Sequence, residues 1–328
     1  LKLTTSEFDL IEKYFTPLTG EYAPAFSLNN DAAVFTPNSN MDMVITKDAL
    51  VADVHFFSTD DPALIAERAL RTNLSDLAAM GAEPKGYFLS LALPNQDLDI
   101  EKWLSAFCIG LVNNQKLFKW SLWGGDTVST SGPITISVTA IGETEKGKHL
   151  TRSNANIGDG IYVSGTLGDA AAAVKVIKEN LQFEGRDFIL NRFYKPFPRL
   201  KLGKSLVNLA SSALDISDGL LGDLSHICKN SVVGARIYQS KIPISSAFSN
   251  LLETKPEYNN LSLTGGDDYE LLFTVPPENE KSLANLPKYQ YHDITKIGEV
   301  IAEQKIVLLD ERQTEITTYK KGYRHFED

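Results

Sequence analysis

The chain has 328 residues, long enough for two domains of roughly 150 residues, each with its own core. Its 32 Lys and Arg stand against 42 Asp and Glu, a net charge of -10, and no basic run is present, which argues against a nucleic-acid partner. An acidic chain still binds phosphorylated small molecules where divalent cations stand between the two negative charges. Cys108 and Cys228 lie far apart inside helical patterns, as small core residues of a reducing compartment do. Leu1 to Phe8 shows no basic stretch followed by an apolar one, and no run of about 18 apolar residues occurs, so a cytoplasmic protein without a membrane partner is expected.

In chain order, Thr4-x-x-Glu7 reads as a capping box opening a short helix through Tyr14. Leu28 to Phe35 reads as a turn running into a strand, and Met43 to Asp48 as an apolar strand with a polar tip, so that Asp31 and Asp48 both fall where strand meets turn. From Pro62, apolar residues at three- and four-residue steps (Leu70, Leu74, Leu77, Ala78) predict a buried helix, closed by Gly81 and Pro84. Asp76 sits beside that apolar stripe with Asn73 one turn earlier. Such a carboxylate must be paired or metal-bound, because desolvating it alone costs several kcal/mol. An arginine, a backbone amide or a cation could each satisfy it. Gly86 to Leu93 reads as a strand, Ile100 to Leu117 as a helix, Trp120 to Trp123 as the approach to a Gly124-Gly-Asp-Thr127 turn, and Pro133 to Ile141 as a half-buried strand.

Charged and turn-forming residues from Gly147 to Gly158 mark the domain junction, giving domains 1–148 and 149–328. Beyond it come a strand at Ile161, helices from Asp169, around Phe188 to Tyr194 and over Leu200 to Leu209, and Leu214-Asp-Ile-Ser-Asp-Gly-Leu220 entering a helix through Cys228. Gly265-Gly-Asp-Asp-Tyr-Glu270 is a glycine-rich turn feeding an apolar strand to Val275, and Ile306 to Leu309 is another strand. The whole is a two-domain α/β (α+β) chain, with a mixed sheet and long helices in its first half.

Six segments present aspartate in a turn or helix-start context: Asp31, Asp48, Asp76, Asp126, Asp215 with Asp218, and Asp267 with Asp268. Singly, each is an ordinary turn former or cap. Together, beside small and hydroxyl residues, they suit Mg²⁺, which takes one or two carboxylates and fills its other positions with water and phosphate oxygens. Gly142 to His149 has Walker A glycine and lysine spacing but puts His149 where Ser or Thr must bind the metal, and Gly203-Lys-Ser205 has Pro198 at the first-glycine position. HExxH, GxSxG and Cys/His clusters are missing from the sequence.

Asn30-Asp-Ala-Ala, Thr46-Lys-Asp-x-Leu-Val-x-x-Val-His-Phe56, Asn73-Leu-Ser-Asp-Leu-Ala-Ala-Met-Gly-Ala82, Gly124-Gly-Asp-Thr127, Arg152, Asp215-Ile-Ser-Asp-Gly-Leu220, Gly265-Gly-Asp-Asp-Tyr-Glu-Leu271 and Lys321-Gly-Tyr-x-His-Phe326 follow one another along nearly the whole chain. In this order they resemble the thiamine-monophosphate kinase family, grouped with aminoimidazole ribonucleotide synthetase and selenophosphate synthetase. The resemblance implies two α/β domains that bind ATP without a P-loop, and a homodimer joined through the N-terminal sheets. It implies that Asp31, Thr46, Asp48, Asp76, Asp126, Asp215 and Asp218 hold several Mg²⁺ ions, with Lys47 in the same set and Asp76, Asp126 and Asp218 catalytic. Gly125, Asp126, Arg152 and Ser217 would contact ATP, and His55, Asp267 and Tyr323 thiamine monophosphate. Asn30, Lys47 and Asp267 depart from the family's usual acid, small hydroxyl and glutamate. Two alternatives stand beside the kinase: a sister ATP-dependent synthetase, and a non-catalytic nucleotide-binding homologue.

Overall fold

The computed structural model describes residues 7–20, 23–96, 98–286 and 294–316; Thr4 of the capping box, Tyr323 and the rest of the Lys321–Phe326 motif lie outside them. Two units result, one of the chain up to Leu77 with Glu83–Gly147, the other of Ala78–Ala82 with the chain from Lys148 onward.

In the first unit a short α1 (Glu7–Leu10) precedes β1 (Met41–Val51), α2 (Pro62–Ala79), β2 (Glu83–Pro94), α3 (Ile100–Phe118), β3 (Ser121–Thr130) and β4 (Thr135–Glu145). The sheet has the order β1-β4-β2-β3, antiparallel except for the parallel β2–β3 pair. One face is packed: Val44 and Leu50 of β1, Ile136 and Val138 of β4 and Leu89 and Leu91 of β2 are buried, as are Leu70, Leu74 and Leu77 of α2. The other face is open, with Met43 37 %, Ile45 59 % and Val128 49 % exposed. Asp99 caps α3 by accepting from the Lys102 amide at 3.1 Å.

The second unit contains β5 (Gly160–Ser164), α4 (Asp169–Lys178), α5 (Arg186–Tyr194), α6 (Leu200–Leu206), β6 (Ser212–Asp215), α7 (Leu220–Ser231), β7 (Gly234–Tyr238), α8 (Ser246–Thr254), β8 (Leu271–Val275), β9 (Ile294–Ile301) and β10 (Ile306–Leu309). Its six strands run β10-β7-β9-β5-β8-β6, antiparallel apart from β10–β7. Alternate residues divide between two cores. Ile161, Val163, Leu214 and Leu272 join Leu220, Leu224 and Ile227 of α7, while Tyr162, Ala213, Leu271 and Phe273 join Leu202 and Leu206 of α6 with Ala78 and Ala79. The sheet is thus covered on both sides, which explains why central strands such as β5 and β8 read as continuous apolar runs. Among the described residues, no helix is long and apolar enough to cross a membrane.

Three expected placements change. Residues 29–40 form no strand: Val34 is exposed, and Phe35 instead stacks on Trp123 with ring centroids 5.1 Å apart. Asp48 is not at a strand tip, because β1 continues to Val51 in unbroken register with β4. Gly124-Gly125-Asp126 is not a turn but the middle of edge strand β3. A Cβ on Gly125 would lie 1.9 Å from the Leu89 carbonyl oxygen, so glycine is required there by the neighbouring strand.

Close backbone approach also decides Gly203 of α6, where a Cβ would sit 1.9 Å from the carbonyl oxygen of Ala78. Both partners are backbone, so neither can rotate away. Gly203→Val should destabilise the chain by about 3 kcal/mol, at the upper end of overpacking costs, measured as a lowered urea midpoint at unchanged m-value.

Candidate active site

Side chains on β1 alternate between the two sheet faces. Thr46 and Asp48 fall on the packed face with Val44 and Leu50, opposite α2, and Lys47 falls on the open one. Thr46 Oγ1 donates to Asp76 Oδ2 at 2.5 Å, tying the strand to the last turns of α2. Burial and then the neighbouring Asp76 charge push the Asp48 carboxyl up to about 6, against the opposing hydrogen bond from Thr72. Two carboxylates and two hydroxyls therefore meet in a half-buried place. Lys47 Nζ reaches Thr139 Oγ1 at 3.4 Å across the opposite face, so the Lys47 side chain brings neither an oxygen nor a positive charge to this group. Arg71 pairs with Glu67 at 2.8 Å inside the fold, and Asn73 turns back to donate to the Ala69 carbonyl at 3.0 Å.

His55 stands in the turn after β1, half-buried. Its Nδ1 accepts from the Val51 amide at 3.1 Å, which assigns the neutral ring with its proton on Nε2. Arg68 Nε holds the His55 carbonyl at 3.0 Å and orients the turn.

A second acidic place in the same unit is a cavity of about 480 Å³ lined by Asn30, Asp31, Gly125, Asp126, Ser90 and Trp123, among others. Asp126 is level with Ser90, Ser90 with Ser137 and Ser137 with Ala49. Laterally paired residues share a face, so Asp126 lies on the open side with Lys47. β4 and β2 separate its strand from β1. At about 4.8 Å per strand, Asp126 is roughly 14 Å from Asp48 and on the other side of the sheet. Within one chain these two carboxylates do not share an ion.

In the second unit, Asp215 ends β6 and is buried, and the chain turns through Ile216-Ser217-Asp218-Gly219 into α7. Asp223 organises this turn: its Oδ2 accepts from the amides of Ser217, Asp218 and Gly219 at 3.0, 3.0 and 3.1 Å. Burial, then the Asp218 charge, raise the Asp223 carboxyl to about 7 despite those three donors. Ligand atoms of Asp218, Asp223 and His226 lie within 4.8 Å of one another. Sequence reasoning missed Asp223 and His226; an acid in the first turn of α7 was the available signal for Asp223.

Beside that turn runs Gly265–Glu270. Asp267 N donates to the Ser217 carbonyl and Tyr269 N to the Ile216 carbonyl, both at 2.9 Å. Asp267 (φ 73°) and Tyr269 (φ 51°) are left-handed, at a cost on the order of 1–2 kcal/mol for each residue that has a Cβ. The segment alternates. Asp267 and Tyr269 are half-exposed and joined by a 3.3 Å hydrogen bond, while Asp268 and Glu270 are buried. Burial alone would raise Glu270, but Arg199 and then Arg192 outweigh it and hold the carboxyl below its ordinary value; burial keeps Asp268 well above its own.

Asp215, Ser217, Asp218 and Asp267 are thus gathered on adjoining strand ends. Arg152 is exposed in the segment that follows β4, and no hydrogen bond or ion pair reaches it among the described residues.

Comparison with known proteins adds the family. Residues 29–144 match AIR synthase related protein, N-terminal domain, and residues 156–311 its C-terminal domain. The chain is 38 % identical over 333 residues to thiamine-monophosphate kinase of Haemophilus influenzae, covering 99 % of each. The crystal structure of thiamine-monophosphate kinase from Stenotrophomonas maltophilia K279a is similar with a TM-score of 0.79 and 37 % identity, over 86 % of this chain and 89 % of that one. AaThiL complexed with AMPPCP and TMP is similar with a TM-score of 0.77 and 28 % identity, over 98 % and 97 %. With its paired AIR synthase related domains and full-length relatives, the chain belongs to the thiamine-monophosphate kinase family.

Proposed function

We propose that the chain transfers the γ-phosphoryl group of ATP to the terminal phosphate of thiamine monophosphate, releasing thiamine diphosphate and ADP. The observation that carries this reading is the Asp48–Asp76 group with Thr46, hard oxygens held together against their mutual repulsion. The relative solved with AMPPCP and TMP supports the choice of both substrates. A chain of net charge -10 has to accommodate two further polyanions, and cations are the means.

The donor set fits magnesium: short carboxylates, a threonine hydroxyl and room for water and phosphate oxygens. Asp48, Asp76 and Thr46 would hold it on the packed face of β1, Asp31 and Asp126 in the cavity, and Asp215 and Asp218 at the α7 turn. Bound there, Mg²⁺ supplies neutralisation of the charge on the reacting phosphate oxygens.

An oxygen of the acceptor phosphate forms the new P–O bond as the bond from the γ-phosphorus to the β–γ bridging oxygen breaks. That oxygen already carries negative charge, so the site needs alignment rather than a strong base. Thr46 fixes the Asp76 carboxylate, and Asp223 fixes the amides flanking Ser217 and Asp218. Gly125, Asp126, Arg152 and Ser217 contact ATP in this reading. His55, Asp267 and Tyr323 would contact thiamine monophosphate in the same reading. Residues 1–148 serve ATP, magnesium and dimer contact, and residues 149–328 supply the remaining ligand contacts. The setting is cytoplasmic.

A homodimer would reconcile the separation of Asp126 from Asp48 with service at one site. If both serve one phosphate chain, a second copy has to bring its own Asp126 to the first copy's β1. Equal mixing of inactive Asp126→Asn and Asp48→Asn chains, with subunit exchange, should then restore about one quarter of the unsubstituted activity, since half the dimers are hybrids with one intact site. Absence of restoration despite exchange, followed by native mass spectrometry, counts against the shared site.

ADP release coupled to a reporter, with thiamine monophosphate as acceptor and thiamine as control, tests the reaction itself. Asp76→Asn should lower kcat by about 100-fold or more while the chain melts at or above the unsubstituted temperature. Equal activity in both chains would remove Asp76 from the mechanism.

Burial of Asp48, and then the neighbouring Asp76 charge, set a pH dependence for the metal-free chain. The folded Asp48 titrates at about 6, above its ordinary 3.8, so its contribution to stability is full below pH 4 and is lost as pH rises through 6. In EDTA, Asp48→Asn should therefore stabilise the chain by on the order of 1 kcal/mol at pH 7.5 and by nothing measurable at pH 4. Thermal melts across that range read the difference.

A further inference from the structure

Beneath Asp267, on the inner side of the Gly265–Glu270 segment, lies a buried charge cluster whose members come from five separate elements. Arg199, at the start of α6, donates to Glu270 through two nitrogens, Nε to Oε2 at 2.6 Å and Nη2 to Oε1 at 2.5 Å. Arg192 of α5 donates from Nη2 to Glu270 Oε1 at 2.8 Å and to the Asp268 carbonyl at 3.3 Å. Ser164 Oγ, closing β5, donates to Glu270 Oε2 at 2.5 Å and accepts from the Leu271 amide at 2.9 Å. Asp268 accepts from the Gly168 amide at 2.7 Å and from Ala170 at 3.3 Å, binding the segment to the N-terminus of α4. Asp169 completes the set, taking hydrogen bonds from Thr166 and Ser245 and lying 3.7 Å from Arg192 Nε.

Three carboxylates and two guanidinium groups in one dry place are a poor route to stability, because well-packed apolar residues would serve as well or better. What such a cluster does supply is direction. Arg199's planar fork admits one orientation of the Glu270 carboxylate, and Asp268 must point at the α4 amides. With alternate residues pinned inward, Asp267 and Tyr269 are turned outward in their left-handed conformations. The neighbouring turn has its own lock in Asp223, which is separate from this cluster.

We propose that the Arg199–Glu270 fork, with Arg192 and Asp268, is a positioning device for Asp267, and so sets recognition of the acceptor substrate through side-chain contacts distinct from those by which Asp223 holds the adjoining turn that serves the nucleotide. The inference rests on the assignment of Asp267 to thiamine monophosphate and of Ser217 to ATP. Arg199 and Glu270 are positioning residues, acting through the backbone of the Gly265–Glu270 segment.

The full-length chain carrying Arg199→Lys, Arg199→Met, Glu270→Gln or Asp223→Asn is assayed by ADP release, each substrate varied in turn. Lysine keeps the charge but loses the fork. Both Arg199 variants and Glu270→Gln should raise KM for thiamine monophosphate roughly tenfold or more, with KM for ATP changed less than about threefold; Asp223→Asn should show the reverse split. A wild-type KM for thiamine monophosphate in Arg199→Lys would overturn the proposal, as would a parallel rise of both KM values tracking a lowered Tm. Failure of all three Arg199 and Glu270 variants to fold would overturn it too, by making the cluster structural alone. Hydrogen exchange gives a readout that does not depend on the reaction. In Arg199→Lys the Asp267 and Tyr269 amides should exchange faster while those of Ser217, Asp218 and Gly219 keep their protection, and unchanged exchange at Asp267 would sink the inference. An unsubstituted chain that releases no ADP would overturn the kinase reading instead, leaving the exchange result to decide this one.

Discussion

Burial of carboxylates beside one another is the constraint on which the structure turns. Asp48 and Asp76 approach each other from β1 and α2 beside the hydroxyls of Thr46 and Thr72, and burial, then the Asp76 charge, push the Asp48 carboxyl up to about 6. Packing of α2 through Leu70, Leu74 and Leu77 overcomes that cost, because each buried leucine contributes roughly 1.5–3 kcal/mol. The helix is therefore more than a scaffold. It is rigid enough to hold a charge where the charge would not stay by itself.

The second unit meets the same difficulty by other means. Around Asp218, Asp223 accepts three successive amides, so the turn is built about a buried acid. Around Asp267, two non-glycine residues sit in left-handed conformations that only a strongly determined surrounding keeps in place. In both cases the carboxylate that reaches outward is matched by one that points inward. The outer charges are directed because the inner ones are fully engaged with donors, and the inner ones are tolerated because amides and arginines surround them.

Periodicity made the helices legible: α2, α3 and α7 carry apolar stripes at helical spacing, and their ends bear ordinary stop signals. The strands were legible where both faces are buried, as in β5 and β8. Where one face is open, local chemistry misled. Lys47-Asp48 looked like a strand tip, although the open face of β1 accommodates lysine without interruption. Gly124-Gly125-Asp126 looked like a turn, although Gly125 is glycine because the Leu89 carbonyl lies against it. β7, β9 and α8 were not read at all; β9 interleaves Thr, Lys, Gly and Glu with its apolar residues and has no clean period. A turn context holds for Asp31, Asp218 and Asp267 but not for Asp48, Asp76 and Asp126, which lie inside regular elements, and sequence shows only that Asp267 adjoins Asp268. Which of the two faces outward depends on α4, α5 and α6 behind them, and that information is non-local.

Sheet geometry also gives the residues at 30, 47 and 267 a physical sense. Lys47 lies one residue from two members of the acidic group, yet strand alternation puts its ammonium on the opposite face, at Thr139, where it leaves the Asp48–Asp76 group intact. Asp267 has one methylene fewer than glutamate, and it occupies a backbone position at φ 73°. Short polar side chains are the ones that tolerate the left-handed region, since they hydrogen-bond locally, as Asp267 does with Tyr269. A shorter acid there eases the backbone and leaves reach to be supplied by the segment's position, which is what the arginine-held cluster beneath it controls. Asn30 beside Asp31 keeps an oxygen in the cavity wall and removes one negative charge from a place that already holds two. Each of these residues thus falls where the surrounding structure accommodates it.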